Sequence, residues 1–152
     1  MSAPEPWSVR RVRADAGAFH RDEPSPRRSV TVVEVDRTTV VLGSSQSDEA
    51  VEHRVASSLG IDVVRRRSGG GAVLLVPGEF VWVDIVVPAG DRVWSDDVGA
   101  AMVWVGRVWQ AALADVGVES DVYDGPMQHH PWSRQVCFAG LGTGEVVPAG
   151  AG

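Results

Sequence analysis

The sequence predicts an α+β fold in which short β-strands alternate with two longer helical stretches. Three observations carry this. Runs rich in valine and threonine at Ser29 to Asp36, Thr39 to Gly43, Val63 to Arg65, Ala72 to Val76 and Glu79 to Val87 are strand-like. Between and after them lie two segments with helical spacing and acidic starts, one after Ser47 and one signalled by Ser95, Asp96 and Asp97. Glycine or proline marks nearly every change of pattern, at Gly60, Gly69 to Gly71, Pro77-Gly78, Pro88 and Gly117. At 152 residues and 44% hydrophobic composition the chain suits one core of ordinary size, so a single domain over 1-152 is expected.

Composition removes several classes of function. The net charge of −6 gives no electrostatic support for nucleic-acid binding. The single cysteine excludes an internal disulfide framework and fits a reducing, cytoplasmic setting. No apolar run resembles a signal peptide or a membrane span. All 14 basic residues are arginine; the chain contains no lysine.

In chain order, residues 1 to 6 read as a loose lead-in. Trp7 to Glu23 has Val9, Val12, Ala16 and Phe19 at near-helical spacing, which predicts a helix ending before Pro24. His20, between Phe19 and Arg21, reads as a solvated helix residue. Ser29 to Asp36 and Thr39 to Gly43 flank the polar pair Arg37-Thr38 and are expected to pair with one another. Ser47 is expected to cap a helix carrying Val51, Val55 and Leu59 on one face, closed by Gly60.

Glu79 to Val87 alternates, placing Val81, Val83, Ile85 and Val87 on one face and Phe80, Trp82 and Asp84 on the other. The β-branched face suits a core; the aromatic face suits a pocket wall, where Asp84 would orient a loop arginine, help hold a metal, or simply meet solvent. The helix signalled by Ser95, Asp96 and Asp97 carries Val98, Met102, Val105, Trp109, Ala112, Leu113 and Val116 in one stripe and reads as the main scaffold behind the sheet. Val118 to Tyr123 and Gln135 to Phe138 suggest strands, His129-His130 a loop without chemistry, and Ala139 to Gly152 a tail with little to bury.

The segment Arg65-Arg66-Arg67-Ser68-Gly69-Gly70-Gly71 is the most informative. Three glycines strip the Cβ atoms from a short arc of backbone, so N–H groups can approach an anion closely, and arginine supplies planar donor forks. Read locally, this is either a ligand loop or a flexible hairpin turn. It matches neither the Gly-Lys-Ser/Thr nor the GxGxxG phosphate-binding pattern.

With Ala72 and Val73 the segment resembles the RRxSGGGAV signature of the lipoate–protein ligase family, within the biotin and lipoate ligase superfamily. Val40-Val41-Leu42-Gly43-Ser44-Ser45-Gln46 is similar to that family's strand followed by Gly-x-x-Gln. The resemblance spans roughly residues 7 to 147. It implies a central, mixed but largely antiparallel sheet backed by helices, and an enzyme that uses ATP and Mg2+ to activate lipoate or octanoate. Transfer would then be to a lysine of a lipoyl acceptor domain, of the 2-oxoacid dehydrogenase or glycine-cleavage H-protein type. By resemblance, Arg66, Ser68, Gly69, Gly70 and the backbone of Gly71, Ala72, Val73 and Leu74 would hold the nucleotide, while Gly43 and Gln46 would border the acyl pocket. Trp82 and Phe80, from strand alternation, would supply its apolar wall. Valine at Gly70 or Gly71 is expected to abolish binding while leaving the fold intact.

Two alternatives stay open. Cys137-Phe138 followed by Gly144-Glu145-Val146 is similar to the stretch around the catalytic cysteine of an octanoyltransferase branch, which implies ATP-independent transfer through a Cys137 thioester. The chain would otherwise be a non-catalytic piece that binds ligand or partner only. In the resembling ligases a strand with a lysine in a Lys-x-x-Gly setting follows the Cys137 to Val147 segment. The sequence ends at Gly152 without one, so an incomplete catalytic unit is expected.

Overall fold

The computed structural model describes residues 6–150. The lead-in expected over residues 1 to 6 falls almost wholly outside them. The described chain forms two compact units: the first runs to Asp91 and includes Arg134–Cys137, and the second comprises Arg92–Ser133 and the chain from Phe138 onward. Mixed sheets and helices make the fold α+β, as the sequence predicts.

In the first unit, β1 (Ser8–Ala14), β2 (Ser29–Val35) and β6 (Trp82–Val86) form a sheet in the order β1-β2-β6. The β1–β2 pair is parallel and β2–β6 antiparallel. A second sheet, β4-β3-β5, joins β3 (Thr39–Leu42) in parallel to β4 (Asp62–Arg65) and antiparallel to β5 (Val73–Leu75). Parallel neighbours need a crossover. That role falls to α1 (Ala16–Arg21), and to a 3-10 turn at Asp48–Ala50 with α2 (His53–Ser58).

Several local expectations are corrected here. Trp7 to Glu23 is a strand followed by a short helix, not one helix: Ser8–Ala14 pairs residue by residue with β2, and the Asp15 carboxylate then caps α1 by accepting from Ala18 N at 2.7 Å. Strands β2 and β3 do not pair with each other, because both edges of each are already taken. After Ser47 there is no continuous helix. Ser47 caps the 3-10 turn, and on α2 it is Ala56 that is buried, while Val55 and Leu59 are exposed. Gly60 does close that helix, at φ +68°.

The core of this unit is Ala16, Val35, Val41 and Leu75, with Val64, Val73, Phe80 and Trp82 packed against it. Phe80 and Trp82 therefore serve the core, whereas Val81, expected on the buried face of β6, is exposed. Arg28 and Asp91 form a buried ion pair, with Nε donating at 2.8 Å.

In the second unit α3 (Val98–Asp115) packs on β7 (Ser120–Val122) and β8 (Val146–Pro148), which pair antiparallel. Asp97 caps the helix, accepting from Ala100 N at 2.9 Å, and Gly117 ends it at φ +79°. Of the predicted stripe, Val98, Met102 and Val116 are exposed; the buried position is Gly106, where a Cβ would lie 2.4 Å from Gly144 O. The stretch from Ala139 is thus not a loose tail, since it carries both this contact and β8. Gln135 to Phe138 forms no strand; Val136 makes one isolated bridge to Ala72.

Candidate functional site: an arginine-latched glycine loop

The loop between β4 and β5 sits on a polar root. Gly43, at the end of β3, faces Gly70 so closely that a Cβ would stand 2.0 Å from Gly70 O. The Gln46 side chain accepts from Gly43 N at 2.9 Å and donates to Arg134 O and Gln135 O, each at 3.1 Å. A segment distant in sequence is thereby clamped beside the loop. It is held further by Ala72 N to Gln135 O at 2.8 Å and Cys137 N to Ala72 O at 2.9 Å. Gly71 lies against this segment, where a Cβ would meet Val136 C at 2.4 Å and Cys137 N at 2.5 Å. Valine at Gly71 would therefore collide with backbone, so the expectation that it spares the fold is corrected for this position.

The arginines are employed differently. Arg65 donates to Gly43 O at 2.8 Å and Gln46 O at 2.6 Å, and pairs with Asp48. Arg66 donates from Nε to Ser68 Oγ at 3.0 Å, from NH1 to Val41 O at 3.3 Å, and from NH2 to Gly69 O and Gly71 O at 2.8 Å each. It holds the loop by its carbonyls. Among the described residues, no acceptor meets the N–H groups of Gly69, Gly70 or Gly71. Gly70 adopts φ +96°, and a Cβ at Gly69 would find open space. Successive amides that meet no acceptor, on residues without a Cβ, are suited to an anion.

The other expected nucleotide contacts are placed as follows. Ser68 Oγ is held by Arg66, the Ala72 amide is spent on Gln135, and Val73 and Leu74 pair with Val41 and Val40 in the β3–β5 ladder. Gly43 and Gln46 belong to the root. Cys137, half-buried, lies beside the loop, with Sγ 3.9 Å from Arg66 NH2. In the second unit, His130 Nδ1 accepts from Trp132 N at 3.4 Å and the His130 backbone N–H donates to Ser133 Oγ, which makes it part of a turn.

Trp82 and Phe80 face one cavity of about 420 Å³ together with Arg11, Arg13 and Val81. Asp84 faces another, of about 490 Å³, with Arg10, Thr31, Phe19 and Arg67. His20, expected in solvent, instead stacks on Trp82 with ring centroids 4.9 Å apart. Burial lowers its pKa from 6.5, as do the nearby Arg66 and Arg67, while Asp84 opposes them. In the sequence, the charged neighbours Arg21 and Asp22 point to solvent, and the adjacent Phe19 is the one signal for packing. Arg10 and Thr31, also missed, carry no local signal at all.

Among the described residues no helix is long and apolar enough to cross a membrane. A comparison with curated proteins finds no significant match. The model of one protein family, the lipoyl protein ligase A/B catalytic domain, matches residues 17–141, a span that takes in the loop, its root and Cys137. With most of its length inside that match, the chain belongs to the lipoyl protein ligase A/B catalytic domain family.

Proposed function

We propose that the protein is a lipoate–protein ligase, in which one catalytic domain activates lipoate or octanoate with ATP in a cytoplasmic setting and transfers the acyl group to a lysine of a lipoyl acceptor domain. One observation carries the reading: among the described residues the N–H groups of Gly69, Gly70 and Gly71 meet no acceptor, while Arg66 holds the loop by the carbonyls of Gly69 and Gly71. Preorganised amides of this kind stabilise charge developing on phosphate oxygens without reorganising as the reaction proceeds. Bringing the acid in line with the α-phosphate is then a matter of positioning. Mg2+, when bound with the nucleotide, neutralises triphosphate charge. The test is incubation with ATP, Mg2+ and lipoate, octanoate or biotin in turn, with mass spectrometry for the acyl-adenylate. Adenylate from lipoate or octanoate at the low yield expected of a chain without lysine, and none from the Gly70→Val variant, is the expected result.

A second reading is favoured by the position of Cys137 beside the same loop. In it the Cys137 thiolate attacks an acyl thioester on a carrier protein, the carrier thiol leaves, and the acceptor lysine displaces Cys137. This needs no ATP. Incubation with octanoyl-carrier, followed by mass spectrometry of the intact chain, reads it directly: an acyl group on Cys137 establishes transfer, and its absence alongside adenylate formation establishes the ligase.

A further inference from the structure

Three consecutive arginines enter the glycine loop, and two of them are already engaged with the protein. Arg65 serves Gly43, Gln46 and Asp48; Arg66 serves Val41, Ser68, Gly69 and Gly71. Arg67 makes none of these contacts and lines the cavity of about 490 Å³. Arg10 lines the same cavity, and its Nε donates to Thr31 Oγ1 at 3.1 Å. Its terminal nitrogens meet no acceptor among the described residues.

We propose that Arg67, with Arg10, forms a carboxylate-binding subsite in the cavity walled by β1, β2 and β6, and that Arg66 acts on ligand only through the loop it holds. The inference rests on the proposed function and deepens it by assigning acid and phosphate to different groups. The cavity has an apolar lining in Val12, Phe19 and Ile85 and a volume within the range of about 300 to 1,000 Å³ typical of small-ligand sites. Its charged lining sets Arg10 and Arg67 against Asp22, Glu23 and Asp84. The three carboxylates repel the several charges of a triphosphate far more than the single charge of a carboxylate on an aliphatic body, and two guanidinium groups suffice to bind that single charge. The matching ligand is a medium-chain monocarboxylic acid, and the amides of Gly69 to Gly71 remain for phosphate.

Calorimetric titration of the full chain with octanoate and with octanamide tests this, in the unaltered protein and in Arg67→Met and Arg66→Met. Arg67 is exposed, so its replacement should leave the fold unchanged; unfolding curves of both variants check that. The unaltered protein should prefer octanoate by about tenfold or more, the scale of a charge-assisted contact. Arg67→Met should erase that preference, and Arg66→Met should weaken both ligands alike and keep the ratio. Octanoate binding with its preference intact in Arg67→Met, or lost in Arg66→Met, overturns the subsite and leaves the ligase reading standing. No binding of either ligand by the unaltered protein overturns both.

Discussion

The root of the glycine loop and its rim are built from the same residue types and do opposite things. At the root, Gly43 and Gly71 are small because other backbone lies where a Cβ would be. At the rim, Gly69 has open space in front of it, and Gly70 needs its positive φ. Arginine divides the same way, with Arg65 and Arg66 bound to backbone carbonyls and Arg67 facing a cavity. Glycine and arginine in one motif thus serve as packing material on one side and as a ligand surface on the other, and the motif letters do not separate the two.

The largest effect expected from this contrast is at the root. Gly71→Val sets a branched side chain against the backbone of Val136 and Cys137, which cannot swing aside as a side chain would. A loss of about 3 kcal/mol in urea-unfolding stability is expected. Unchanged stability would mean that the 134–137 segment does not dock on the loop in solution.

Gln46→Ala should cost less, about 1 kcal/mol, through loss of the side-chain bonds to Gly43, Arg134 and Gln135. Because the clamp is what brings the Cys137 segment alongside the loop, amide exchange should quicken at Ala72 and Cys137 more than elsewhere. Uniform protection across the loop would deny the clamp that role.

A pH titration probes the packing of His20 on Trp82, away from the glycines. The folded-state pKa of His20 lies below 6.5, so the unfolded chain takes up its proton first as the pH falls. The stability tied to neutral His20 is therefore present above about pH 6.5 and lost below it. His20→Phe should flatten the urea midpoint between pH 7 and the acid side of that range; an unchanged slope would place the titrating group elsewhere.

The smallest stability effect belongs to Gly69→Ala, expected within about 0.5 kcal/mol of the unaltered protein. Its consequence should appear instead in a weakened calorimetric affinity for pyrophosphate. A stability loss matching that of Gly71→Val would erase the distinction between root and rim.

Sequence alone determined the α+β class, the strand-loop-strand around Gly69 to Gly71, the cap at Ser47, the helix start within Ser95 to Asp97 and the stops at Gly60 and Gly117, because alternation, capping and positive φ are local properties written in a few neighbouring residues. The family resemblance rests on equally contiguous letters. Tertiary structure alone decided that Ser8–Ala14 is a strand, that β2 and β3 belong to different sheets, and that Gln46 and Gly71 grip a segment nearly ninety residues away in the case of Gln46. It also decided which arginine is spent and which is not. Strand pairing and hydrogen-bond partners are settled by competition among groups distant in sequence. An arginine has the same five donors wherever it stands, and only the fold determines what those donors meet.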